Sequence, residues 1–94
     1  MIVLQIEHSV PDFDGWKRAF DSDPVNRQKS GVKRYRIFRK VDAPDFVILE
    51  LEFDNLGEAR NLLASLEKLW NRVEGKVITG PHARIVEVVE SKTY

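Results

Sequence analysis

Two histidines carry the ordinary near-neutral titration of this 94-residue chain, and no cysteine competes with them as a nucleophile or thiolate ligand. His8 closes a stretch, Ile2–His8, in which Ile2, Leu4, Ile6 and His8 alternate with Val3, Gln5 and Glu7. His82 follows the turn signal Gly80-Pro81 and opens a run rich in Val and Ile. If both strands end at the same side of one sheet, the histidines meet there with Asp54 and Arg84. That arrangement would make a proton-transferring pair, or a metal site of His8, His82 and a carboxylate. No His-x-His spacing supports the metal, and none is expected. The plainer alternative makes His8 a core-edge histidine bonded to backbone, and His82 the first residue of a strand after a turn.

Aromatic residues supply candidate walls. Trp16, Phe20, Tyr35, Phe53 and Trp70 fall at helix and strand spacings that would bring them between helices and sheet. They form either an ordinary core or the lining of a small-molecule pocket. Two tryptophans in so short a chain keep the pocket reading open. Tyr35 adds a hydroxyl that needs a partner if buried, and so is the polar contact expected inside such a pocket. Arg34, Arg36, Glu50 and Glu52 resemble a carboxylate cluster, but they are better read as cross-strand neutralisation. There is no Gly-rich phosphate loop, no Ser nucleophile elbow and no nucleotide or flavin motif, so no cofactor is expected.

The elements that must position these residues follow from periodicity. A half-buried strand over Ile2–His8 precedes Asp12, a helix cap, and Phe13, Trp16, Ala19 and Phe20 at helical spacing. Asp23-Pro24 predicts a second short helical piece, with Asp23 as cap and Pro24 at its first position, closed by Gly31. Residues 32–41 and 45–53 then read as two strands joined at Asp42-Ala43-Pro44. Placing Val41 opposite Asp45 sets Phe38 against Ile48, Arg36 against Glu50 and Arg34 against Glu52 on one face, leaving an apolar face behind. Asn55 and Glu58 read as a capping box for a long helix with a stripe from Ala59 through Leu62, Leu66 and Trp70 to Val73, stopped by Gly75. Residues 82–90 form the last strand. The order β-α-β-β-α-β predicts an α+β, ferredoxin-like plait: a four-stranded antiparallel sheet with both helices on one face, in one domain over residues 1–94. Its first and third strands are expected side by side and parallel, with Phe53 and Asp54 near His8.

Composition narrows the partners. Fifteen basic and fifteen acidic side chains cancel and no basic run is present, so no nucleic-acid binding is expected. No segment has the length of a membrane span or the form of a signal peptide, which predicts a soluble, cytoplasmic protein without membrane contact. The outer face of the hairpin is half charged and half apolar. With Val3, Gln5, Val86 and Val88 it suits a sheet-to-sheet homodimer.

The chain resembles the dimeric α+β barrel superfamily along its whole length. The carriers are His8-Ser-Val-Pro-Asp-Phe-Asp-Gly-Trp-Lys-Arg-Ala-Phe-Asp-Ser-Asp-Pro24, Gly31-Val-Lys-Arg-Tyr-Arg36, Leu51-Glu-Phe-Asp54 and Gly80-Pro81. They are similar to small bacterial proteins described as cyclases or as antibiotic-biosynthesis-monooxygenase-like. The resemblance implies two ferredoxin-like protomers packed sheet against sheet, each with a pocket between its sheet and helices. Haem-degrading relatives bind iron through a histidine of the second long helix, and Asn55–Glu74 contains none. Cofactor-free relatives use Asn, Trp and His, where this first strand has Gln5 and His8 and the tryptophans lie on helices.

Two functions from different classes therefore stand. In one, a cofactor-free cyclase or monooxygenase-like enzyme acts on an aromatic or polyketide-like substrate. His8 is general base or anchor, assisted by Tyr35, His82 and Arg84, within walls of Trp16, Phe20, Phe53 and Trp70. In the other, the same dimeric fold is a non-catalytic ligand-sensing or protein-interaction module.

Overall fold

The computed structural model describes residues 1–73 and 78–94. Six elements follow in chain order: β1 (Ile2–Ser9), α1 (Phe13–Asp21), β2 (Arg34–Lys40), β3 (Ala43–Phe53), α2 (Leu56–Val73) and β4 (Thr79–Glu87). The strands form one sheet in the order β2-β3-β1-β4. Every neighbouring pair is antiparallel, including β1 with β3, which the sequence reading made parallel. Antiparallel pairing puts Phe53 across from Ile2 and Val47 across from His8. Phe53 and Asp54 therefore lie at the end of the sheet away from His8.

The charged hairpin register is as expected: Arg34 pairs with Glu52, Arg36 with Glu50 and Phe38 with Ile48. Arg36 Nη2 donates to Glu50 Oε1 at 2.6 Å, and Arg34 Nε to Glu52 Oε2 at 2.6 Å. The turn is tighter than expected. A register shift after Arg39 brings Lys40 opposite Ala43, so the turn is Val41-Asp42 and Pro44 already belongs to β3. On this face Gln5 Nε2 donates to Glu50 Oε2 at 2.8 Å, and Arg84 Nε to Gln5 Oε1 at 2.9 Å. A hydrogen-bonded row Arg36–Glu50–Gln5–Arg84 thus crosses all four strands on the side the helices leave open.

Both helices start on side-chain caps. Asp12 Oδ2 accepts from the Gly15 amide at 3.0 Å, and Asn55 Oδ1 from the Glu58 amide at 2.8 Å. Glu58 reaches back to the Asn55 side-chain amide at 2.7 Å, a variation on the box expected. α2 packs on β1, β3 and β4. Its Ala59 and Leu62 join Leu4, Ile6, Leu49, Leu51 and Phe53 in the main core. The stop predicted at Gly75 lies outside the described residues.

Two further expectations fail. Residues 23–31 form turns, not a helix, because Asp23 (φ 54) and Asn26 (φ 50) take left-handed backbone that no right-handed helix admits. The last strand begins and ends three residues earlier than read. Gly80 (φ 60) and Pro81 lie within it, where β4 places two residues beside His8: Glu7 pairs with His82 and Ser9 with Thr79. The supposed turn is a β-bulge.

Candidate functional site

His8 is the one buried polar side chain in the core of the described residues, with 3 % of its surface exposed. Alternation along β1 turns it inward after Leu4 and Ile6, and the bulge of β4 lies beside it. Its Nδ1 has no hydrogen-bond partner among the described residues. Removing an imidazole from water disfavours its charged form. Burial accordingly holds His8 below the ordinary value of 6.5, with the backbone of Ser9 pulling the other way. The ring is thus neutral at neutral pH, and has a buried nitrogen free to accept or donate one hydrogen bond.

A cavity of about 240 Å³ opens against this ring, between sheet and helices. Ile6, Leu49 and Leu51 form its sheet wall, Trp16 and Phe20 its α1 wall, and Leu66, Leu69 and Trp70 its α2 wall. Ile78, itself buried, closes one side. Aromatic contacts order one wall: His8 to Trp16 is 5.6 Å between ring centroids, and Trp16 stacks on Phe20 at 5.3 Å. The guanidinium of Arg27 lies 3.7 Å from the Phe20 centroid. The volume is just under the ~300–1,000 Å³ typical of drug-sized ligand sites, which suits a compact molecule of one to three fused rings.

Of the residues singled out from the sequence, His8, Trp16, Phe20 and Trp70 line this cavity. The other four lie elsewhere. Tyr35 is on edge strand β2, 43 % exposed, and meets Phe20 edge-on at 5.0 Å without lining the space. Phe53 is fully buried in the main core. His82 pairs with Glu7 and Arg84 with Gln5, both residues of the opposite sheet face, so neither shares a pocket with His8. Arg84 spends its charge there, 3.7 Å from Glu7. A metal shared by the two histidines is excluded by the sheet between them. Sequence reasoning missed Arg27, along with Ser22, Pro24 and Val25 beside it on the cavity wall. Pro24, Val25 and Arg27 sit in the stretch from 23 to 31 taken for a helix, whose periodicity gives no hint of which side chains turn inward.

Solved structures align over almost all of the chain. A candidate antibiotic biosynthesis monooxygenase from Deinococcus radiodurans superposes with TM-score 0.69 at 15 % identity, over 100 % of this chain and 98 % of that one. SnoaB, a cofactor-independent oxygenase from Streptomyces nogalater, reaches 0.74 at 11 % identity over 96 % and 94 %. What these structures share with this chain is the ferredoxin-like βαββαβ fold. A dimeric ferredoxin-like protein from an uncultured marine organism also matches, at 0.66 and 11 % identity over 97 % of each chain. No family profile and no curated protein matches the sequence. At these identities the likeness extends to the fold, and chemistry has to be argued from the cavity.

Proposed function

We propose that this chain is a homodimeric barrel whose protomers each bind a small, largely aromatic molecule, and that His8 takes a proton from it in a cofactor-free oxygenation or cyclisation. The observation that carries this reading is that His8 lines an apolar cavity and has a buried Nδ1 without a partner among the described residues. A buried polar atom without a partner costs about 1–3 kcal/mol, a cost that a hydrogen-bonding ligand would remove. A neutral imidazole is also the form that can act as base, and apolar walls strengthen its interaction with a phenol or carbonyl-activated C–H. The resulting enolate or phenolate can react with dioxygen. A substrate CH2 becomes C=O, one oxygen atom enters the product, and the other leaves as water with the two hydrogens. In cyclisation the same carbanion attacks a carbonyl of its own chain instead.

Anthrone, whose CH2 is activated by a ring carbonyl, is a direct probe. The expected result is one dioxygen consumed per anthraquinone formed, with turnover reduced at least ~100-fold in His8→Ala, as for loss of a general base. A folded His8→Ala variant with unchanged turnover would remove His8 from the chemistry. A ligand-sensing module is the second reading. It is favoured because, among the described lining residues, only His8 is both titratable near neutrality and placed to move a proton. Saturable binding of anthrone without oxygen uptake would select it.

For the dimer, the supporting features are the open sheet face with its polar row, the partly exposed Phe38 on the same face, and the dimeric relative of the same fold. Light scattering at micromolar concentration is expected to give twice the chain mass of 10.9 kDa.

A further inference from the structure

We propose that Arg27 makes the cavity selective for ligands that carry a carboxylate on their aromatic body. The inference rests on reading the cavity as a ligand site, and adds the chemical class of what enters it. Arg27 is the only permanently charged side chain among the described residues lining the space, and its side chain is 15 % exposed. It lies at the end of the wall that runs from His8 through Trp16 and Phe20.

The surrounding loop holds this residue closely. The Arg27 amide donates to Asp23 Oδ1 at 2.9 Å, and its carbonyl accepts from the Val32 amide at 3.0 Å. Two non-glycine residues in left-handed backbone, Asp23 and Asn26, shape the turn that delivers it. Such conformations are sparsely populated and persist where the surroundings impose them. The guanidinium carbon then lies over the Phe20 ring, 3.7 Å from its centroid, with the Tyr35 ring centroid 5.3 Å away.

Its hydrogen bonding is incomplete. Nη1 donates to the Phe20 carbonyl at 2.8 Å and lies 3.4 Å from Asp23 Oδ1. Among the described residues no bond engages Nε or Nη2, which together carry three further N–H donors. A carboxylate matches a guanidinium edge with two parallel charge-assisted bonds, and an apolar surround with little water strengthens them. Asp23 is partly exposed and satisfies only one corner of the group. A ligand whose rings lie along Trp16 and Phe20, with one acidic substituent at Arg27 and a weakly acidic site toward His8, meets both the charged and the imidazole group of the cavity. The same Nη1–Phe20 bond could make Arg27 only a clasp for the loop, and the test has to separate the two roles.

The probes are 1-naphthoate and its neutral counterpart 1-naphthamide at pH 7, read by fluorescence of Trp16 and Trp70, which line the cavity. Wild-type protein is expected to bind naphthoate about tenfold or more tightly than the amide, the worth of a charge-assisted bond. Arg27→Gln is expected to erase that preference while leaving amide affinity within about twofold, and Arg27→Lys to retain part of it, since a point charge lacks the fork geometry. Equal weakening of both probes in Arg27→Gln, or no preference in the wild type, would overturn the inference and make Arg27 a structural clasp. Should neither probe perturb the wild-type tryptophans, the ligand-site reading itself fails. The wild-type comparison needs no variant, so it stands even if Arg27→Gln does not fold.

Discussion

His82 is across from Glu7, not His8, and that single register position separates the two histidines by the thickness of the sheet. The inward turn of His8 could be read from Ile2, Leu4 and Ile6 before it, because strand alternation needs only local order. The face taken by His82 could not be read, because it depends on how β4 slides against β1, and a one-residue slip reverses every side chain. The environment of His8 has a measurable consequence. Its folded pKa lies below the unfolded value of about 6.5, so below that pH the unfolded chain binds more protons. Stability contributed by neutral His8 is therefore complete above about pH 6.5, declines as pH falls toward the lowered folded value, and levels off beneath it. Urea midpoints at pH 7.5 and 5.0 should show a loss for wild type that is smaller in His8→Gln and preserved in His82→Gln. An equal loss in all three proteins would place the acid sensitivity elsewhere.

Among the elements, the hairpin was the most legible because opposite charges had to meet: any other register of residues 34–38 puts an Arg or a Glu against an apolar side chain. Its turn was less so, since the shift after Arg39 has no charge pattern to mark it. The loop from 23 to 31 misleads for a clearer reason. Asp23-Pro24 carries the chemistry of a helix start, and Asp23 does accept from the Arg27 amide as a cap would, yet its own left-handed φ sends the chain into turns. Gly31 has the φ of 101 that glycine tolerates best, and a Cβ there would run into the Glu58 carboxylate. Gly31→Ala is thus expected to lower stability by more than ~1 kcal/mol through both strain and displacement of the α2 cap. Asp12→Ala, which removes only the α1 cap, should cost about 1 kcal/mol. Chemical denaturation reads both, and a neutral Gly31→Ala would mean the Glu58 contact gives way freely.

At the scale of the whole molecule, helices cover one face of the sheet and the row Arg36–Glu50–Gln5–Arg84 crosses the other. The βαββαβ order was legible because periodicity and caps mark each element independently. The cavity was legible only in part: Trp16, Phe20 and Trp70 announced aromatic walls, while the entry of Arg27 depends on a loop conformation set by two backbone dihedrals. The Glu50 carboxylate bridges Arg36 and Gln5 and its side chain is only 17 % exposed, so Glu50→Lys, which sets a cation across from Arg36, should lower monomer stability by about 1 kcal/mol without unfolding the chain. In a sheet-to-sheet dimer the same change puts three like charges at the buried centre of each face. Sedimentation should then show dimer for wild type and monomer for Glu50→Lys; a dimer unaffected by the change would move the interface off this face.

The central claim is that the cavity against His8 receives a ligand through the imidazole. Its most direct test is the 15N spectrum of the two imidazoles, recorded at pH 7 with and without 1-naphthol, whose phenol O–H is the kind of weakly acidic group expected at His8. We predict that the buried Nδ1 of His8 shifts into the hydrogen-bonded range in proportion to bound probe, while both nitrogens of His82 stay where they were. Saturating occupancy with an unmoved His8, or a shift confined to His82, would contradict the account and leave His8 as a packed core histidine.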